Sequence, residues 1–282
     1  MKAIALLRNP RVAFGTLALL AMIIAAVGAP WLSPHDPLEQ DLLNSFQSPG
    51  ADVGDQAHPL GTDSLGRDIL SRLIYGARPA LIVAFVAALF AGLIGTALGL
   101  AAGYFGGRLD AVISRLVDIW MSFPSVLLCI VLAAVLGAGL HTVVIAIIVI
   151  DWTRFCRVVR AETMVQKSHD YVASAVTIGL GSGRILAAEI LPNVAPLLLT
   201  LFTLEMGIAI VIEAILSFVG LSVSSGAATW GGIIQEGRLY VNQAWWLMAA
   251  PMACIVVAVL GLNALGDGLR DVIDPVNSKL SQ

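Results

Sequence analysis

Six apolar stretches dominate the chain: residues 12–32, 80–105, 112–136, 142–150 with its flanks, 194–219 and 244–265. A membrane-spanning helix needs about 20 mostly apolar residues. Runs of this kind predict an all-α integral membrane protein with six transmembrane helices. Only 12% of the 282 residues are charged, about half the roughly 25% of a soluble domain, and the mean hydropathy is +0.89. The fourth stretch has the least defined ends, because Asp151, Trp152 and Arg154 close it. The first has a basic lead-in and Val27-Gly28-Ala29, which resembles a leader cleavage site. Its apolar run exceeds the roughly 7–15 residues of a leader core, and Pro30 would follow the cut, so an uncleaved helix is expected.

Lysine and arginine set the orientation. With the N-terminus inside, Lys2, Arg8, Arg11, Arg108, Arg115, Arg154, Arg157, Arg160, Lys167, Arg184, Arg270 and Lys279 fall on the inner side. Only Arg67, Arg72, Arg78 and Arg238 fall outside. Twelve against four predicts cytoplasmic N- and C-termini.

The chain divides into residues 1–78, holding the first helix and an outer segment, and residues 79–282, holding five helices and an inner loop at 154–193. The outer segment begins Pro-, Gly- and Asp-rich and reads as irregular loop. From Leu60 it changes. Thr62 or Asp63 can cap a helix in which Ile69, Leu70, Leu73 and Ile74 recur at helical spacing. Asp63–Arg67 and Asp68–Arg72 are spaced as helical ion pairs, acid first. A solvated amphipathic helix on the membrane surface is the expected reading; a contact for an external partner or a neighbouring subunit is the alternative.

Gly92, Gly95, Gly99 and Gly103 form a close-packing seam on the second apolar stretch. Arg115 and Asp118 suggest a local pair, and Pro124 a kink within the third helix. Glu205 and Glu213 lie at membrane depth in the fifth stretch, where carboxylates are candidates for a pathway. Glu213 falls near the outer end, within reach of water, and structural hydrogen bonding is the plainer role for both. The pattern supplies no further acid or histidine at the depth of Glu205 to build a proton relay.

Several chemistries are excluded. The chain has no G-x-x-x-x-G-K-S/T phosphate loop, no H-E-x-x-H and no G-x-S-x-G elbow. Cys129, Cys156 and Cys254 are far apart and apolar in setting, and His35, His58, His141 and His169 are scattered, so no metal is expected. A net charge of −3 without a basic run gives no sign of nucleic-acid binding. A membrane protein without its own catalytic machinery must draw energy from a partner. The polar stretch 154–193, carrying five of the sixteen basic residues, is the place for that partner to dock.

Within that stretch, Asp170, Tyr171, Val172, Ala173, Ser174 and Ala175, then Gly179, Arg184 and Pro192, resemble the EAA loop of bacterial ABC-importer permeases. Gly61, Thr62, Asp63, Gly66, Arg67, Asp68 and Arg72 resemble the outer block of the C-type permeases of dipeptide, oligopeptide and nickel importers. Leu216-Ser217-Phe218-Val219-Gly220-Leu221 with Trp230-Gly231, and Gly266-Asp267-Gly268-Leu269-Arg270-Asp271 with Asp274-Pro275, resemble two further blocks of that group.

The resemblance implies a type I ABC-importer permease fold in the bacterial inner membrane, with a cytoplasmic coupling helix around residues 170–175. It implies a B-type permease as heterodimer partner, two cytoplasmic ABC ATPase domains and an extracytoplasmic solute-binding protein. ATP and magnesium would be held by the ATPases, with no cofactor in this chain. Peptides are the expected cargo; nickel, a metal chelate or an opine is the alternative. From another class, a proton-coupled secondary transporter would need a charged relay and inverted repeats. The loop departs from its relatives at one point: Ala173 stands where the motif's glutamate is expected, followed by Ser174. That removes an ionic contact and leaves Asp170, Tyr171 and Arg184 as polar ones.

Overall fold

The computed structural model describes residues 9–53, 56–222 and 227–273. The protein is a bundle of long helices with a small irregular layer at one end. Helix α1 is Pro10–Leu32, α2 Ile69–Phe105, α3 Gly107–Met121, α4 Ser125–Leu136 and α5 Leu140–Lys167. The short α6, Asp170–Thr177, precedes α7, a continuous helical run over Ser182–Phe218. Helices α8 (Trp230–Gly237) and α9 (Trp246–Ile273) complete it. A two-residue antiparallel ladder, β1 Asp52–Val53 with β2 Gln56–Ala57, lies in the outer segment.

By length and apolarity α1, α2, α7 and α9 each suffice to cross a membrane, and α3 with α4 adds a fifth crossing if that bent pair is one span. The remaining expected crossing falls on α5, which does not meet this measure among the described residues, since Asp151, Arg154 and Arg157 interrupt its apolar run. Its apolar stretch ends at Ile150, but the helix runs on through Asp151 to Lys167. Much of the expected inner loop is therefore helix, and the loop proper begins at Ser168.

Helix α1 starts with Asn9, whose side chain accepts the Arg11 N–H at 3.0 Å, and with Pro10 at the first position, where its missing N–H is no loss. Val12, Gly15, Ala18, Met22, Ala26 and Ala29 make its buried stripe. At Gly15 a Cβ would press on Leu265, so α1 lies directly on α9 as part of the bundle.

The glycine seam joins two helices of this chain. At 37 residues, α2 is about 55 Å long, and its glycines lie against α5. A Cβ at Gly99 would stand 2.7 Å from the Cys156 carbonyl oxygen, and one at Gly103 2.7 Å from that of Arg160. Such backbone-to-backbone contact needs glycine. The Arg160 guanidinium holds Asp110 on α3, with Nη2 to Oδ2 at 2.7 Å, and Arg157 faces Asp118 at 3.6 Å. The expected Arg115–Asp118 pair is thus replaced by one between helices.

Pro124 does more than kink. It ends α3 and opens α4, and the two axes meet at 84°. Proline has no N–H to continue the ladder and pushes Phe123 out of the helical region, so the chain breaks where one bent helix was expected.

The outer block also differs from expectation. Helix α2 begins at Ile69, with Asp68 as its cap accepting the Ser71 N–H at 2.7 Å. Residues 61–67 are a tight turn, closed by a Thr62–Asp68 bridge, and α2 continues into the membrane span without a separate surface helix. Asp63 is 0% exposed and Arg72 2%. Solvation of this face is excluded by that burial.

Candidate coupling face and buried ion clusters

At one end of the bundle, α6 presents two unlike faces. Val172 and Ala175 are buried against Val159 of α5 and against Ile185, Ile190 and Val194. Asp170, Ala173, Ser174, Val176 and Thr177 point outward, as do Ile178 and Gly179 beyond the helix. Ile178 is 75% exposed. The helix ends in a Schellman motif: Leu180 N–H donates to the Ala175 carbonyl at 3.1 Å and Gly179 N–H to that of Val176 at 3.0 Å. Gly179 has φ +82°, a conformation open to glycine and disfavoured for other residues, and a Cβ there would meet nothing within 4 Å.

Tyr171 is not an outward contact. Its hydroxyl donates to Gln166 Oε1 at 2.7 Å and receives Asn193 Nδ2 at 3.4 Å. Burial raises the phenol above its usual pKa, which keeps it protonated as a donor. Tyr171 therefore straps α6 to the end of α5 and the start of α7. Arg184 and Pro192 are exposed beside this face. Of the expected polar contacts, Asp170 and Arg184 face outward, and Ala173 offers only a methyl group.

At the other end, the outer turn is a fastener. Asp63 accepts from Arg67 Nε at 2.7 Å and pairs with Arg72, and Glu236 of α8 receives Arg67 Nη2 and Arg72 Nη1, each at 2.8 Å. Two acids and two arginines form a neutral, mostly buried cluster tying the turn to α2 and α8. Asp68 does not pair with Arg72; it caps α2 and bonds His58 Nδ1 at 3.0 Å. The His35 ring lies tilted against that of His58 with centroids 4.7 Å apart, so two of the scattered histidines meet here. Gly61 (φ +78°) and Gly66 (φ +74°) close on the backbones of Gln47 and Asp41, with no room for a Cβ. Trp230 Nε1 donates to the Leu73 carbonyl at 2.9 Å, and Trp246 Nε1 to that of Thr62 at 3.2 Å. The charged groups of this motif are engaged within the chain; Glu236 alone is appreciably exposed.

The two intramembrane glutamates are both buried, Glu205 at 2% and Glu213 at 1% exposure. Glu213 does not reach water: Ser217 and Ser222 donate to its Oε1 at 2.6 and 3.1 Å. Glu205 has company that the sequence pattern did not supply. Arg154 Nη1 lies 3.4 Å from its Oε1, and Asp151 Oδ1 lies 3.8 Å from Arg154 Nε. The signal for this cluster was the charge pair closing the fourth apolar stretch. Asp274 and Pro275 of the tail block lie outside the described residues. Gly266 packs on Thr203 of α7 and Gly268 on Val12 of α1.

The helices long and apolar enough to cross a membrane, with a small amphipathic helix packed across one end, define a helical multi-pass membrane protein. The model of the family "Binding-protein-dependent transport system inner membrane component" matches residues 95–279, and that of the "N-terminal TM domain of oligopeptide transport permease C" matches residues 3–49; the chain belongs to this permease family. It is 36% identical over 267 residues to a probable D,D-dipeptide transport system permease of Escherichia coli, covering 95% of this chain and 88% of that protein. A putative peptide transport permease of Brucella abortus is 39% identical over 271 residues, covering 96% and 89%. The di/tripeptide transport permease of Pseudomonas aeruginosa is 39% identical over 262 residues, covering 93% and 86%. Among solved structures, a chain of the methionine ABC transporter MetNI in an inward-facing conformation superposes with a TM-score of 0.62 at 20% identity, covering 73% of this chain and 98% of that one. The type I importer fold is thereby established.

Proposed function

We propose that this chain is one permease half of an ATP-driven importer of di- and oligopeptides. It pairs with a related B-type permease and receives cargo from an extracytoplasmic solute-binding protein. Two ABC ATPase domains, which hold the ATP and magnesium, drive it from the cytoplasm. The observation that carries this is the set of relatives: peptide-transport permeases at 36–39% identity over nearly the whole chain. The excess of basic residues on the α6 side supports placing both termini and α6 in the cytoplasm.

Helix α6 is the ATPase contact in this reading. Its inner face is anchored in the bundle while Ala173, Val176 and Ile178 stand uncovered, a small apolar ridge suited to a groove. Closure of the ATPases would move α6, and with it α5 and α7, between two positions of the bundle. The lost glutamate at Ala173 shifts recognition towards this ridge, Asp170 and Arg184.

The test is reconstitution of the chain with its co-encoded partners in liposomes. ATP-dependent uptake of a labelled dipeptide, abolished when the binding protein is omitted, is the expected result. Uptake driven by a proton gradient without ATP, or no peptide uptake at all, would overturn the proposal.

A further inference from the structure

The structure holds a cavity of about 480 Å³ between α4, α5, α7 and α9, lined by Ser125, Arg154, Gly207, Val211, Val259 and Asn263 among others. That volume lies within the roughly 300–1,000 Å³ of small-molecule sites. Its walls are mostly apolar, and Arg154 is the one charged side chain that lines it. Asp151 and Glu205 are buried behind the guanidinium at 2% exposure each, whereas Arg154 is 34% exposed.

An arginine bordering an apolar span, beside two buried carboxylates, is expected to be held by them. Here they hold it loosely. Of the five N–H donors of a guanidinium, Arg154 makes one hydrogen bond, at 3.4 Å to Glu205, and its approach to Asp151 at 3.8 Å is too long for another. The carboxylates steady the group from one side and leave its remaining donors for the cavity. On the α9 wall Asn263 Oδ1 is buried with no donor. A Cβ at Gly207 would sit 3.5 Å from that oxygen and 3.6 Å from Val259, in ordinary contact, so Gly207 widens the cavity between α7 and α9. The cavity thus offers the unspent donors of a part-exposed guanidinium in mostly apolar walls.

We propose that Arg154 is the anion-recognising group of the translocation pathway in this chain, taking the α-carboxylate of the passing peptide. This rests on the peptide-import reading. It also reassigns the pathway charge: Glu205 positions Arg154 from behind, and Glu213 is spent on two serines. The guanidinium fork matches a carboxylate in two parallel hydrogen bonds, which a lysine cannot reproduce.

The experiment compares ATP-driven uptake of a labelled dipeptide and of its C-terminal amide, in liposomes holding the complete transporter at saturating binding protein. The preference of the binding protein cancels when the free-to-amide ratio of a variant is divided by that of the wild type. Arg154→Gln is expected to lower this ratio at least tenfold, and Arg154→Lys to restore part of it. A parallel fall in both substrates with the ratio unchanged would overturn the proposal, since a purely structural partner of Asp151 and Glu205 gives that result. Should Arg154→Gln fail to assemble, the triple variant with Asp151→Asn and Glu205→Gln removes the stranded charges, and the same ratio decides. Gly207→Leu fills the cavity without touching a charge and is expected to lower uptake of both substrates, dipeptides with large side chains most; wild-type uptake in that variant would overturn the cavity assignment. If the wild type takes up neither substrate, the peptide-import reading falls and takes the carboxylate assignment with it.

Discussion

Gly179 is where the coupling assignment meets its sharpest test. Its φ of +82° places it in the left-handed region, and a Cβ would touch nothing in this chain within 4 Å. Substitution therefore acts in two separable ways. Alanine pays backbone strain of roughly 1–2 kcal/mol in this conformation, which shifts the turn against its open forms by about 5–30-fold. Asparagine tolerates the conformation much better, so it carries a side chain into the exposed space at little strain. If an ATPase covers this surface, Gly179→Asn still loses uptake, by more than tenfold, and Gly179→Asp abolishes it while the chain stays inserted. Amide exchange at Leu180, whose N–H closes the turn on Ala175, reports the strain independently: 5–30-fold faster in Gly179→Ala and near wild type in Gly179→Asn. Full ATP-driven uptake in Gly179→Asn or Gly179→Asp would refute docking at this point. Unchanged Leu180 exchange in Gly179→Ala would refute the strain argument.

Two further outcomes are expected. Arg72→Leu removes a 2%-exposed cation from between Asp63 and Glu236; breaking a buried pair costs about 3–5 kcal/mol, so thermal unfolding in detergent should begin well below that of the wild type, with Asp63→Asn showing a smaller loss of the same sign. Gly99→Val forces a side chain into the Cys156 carbonyl and Val159; overpacking of this kind costs about 1–3 kcal/mol or more, and the variant should show a lowered melting temperature, whereas Gly181→Val, with nothing within 4 Å of its Cβ, should not.

Apolar run length made the helical bundle readable, and small residues at three- and four-residue spacing made the α2 seam readable, because both are local patterns. The outer turn shows where locality ends. The four-residue spacing of Asp63 and Arg67 is the same in a helix and in a turn that folds back on itself. The decision came from burial and from Glu236, which lies 164 residues beyond Arg72. The cluster around Glu205 failed to show for a related reason. Asp151 and Glu205 sit on different helices, and a sequence does not give the register of one helix against another. Pro124 was visible as a disruption, but an 84° break rather than a kink depends on what the following helix packs against. Resemblance alone singles out residues 170–179 as a coupling segment, and the inward turn of Tyr171 followed only from its partners, Gln166 and Asn193.

The proposed coupling face and the Arg154 cavity are joined by one rigid part. Helix α5 runs unbroken from Leu140 to Lys167, so Arg154 and the contact for α6 ride on the same rod, itself fastened along α2 by backbone contact at the glycines. The joint between α6 and that rod is the cluster of Val159, Val172, Ala175, Ile185, Ile190 and Val194. Ile185 is 1% exposed at its centre. Ile185→Ala removes three carbons from the joint at about 2–5 kcal/mol, loosening α6 while leaving its outward face intact. ATP turnover by the partner domains should continue, while peptides moved per ATP hydrolysed should fall severalfold. Ile233, fully buried on α8 at the far end, supplies the comparison: Ile233→Ala should destabilise the fold similarly and leave the ratio of transport to hydrolysis unchanged. An equal drop in that ratio for both variants would mean that global loosening explains the effect, and that α6 transmits no motion through this joint.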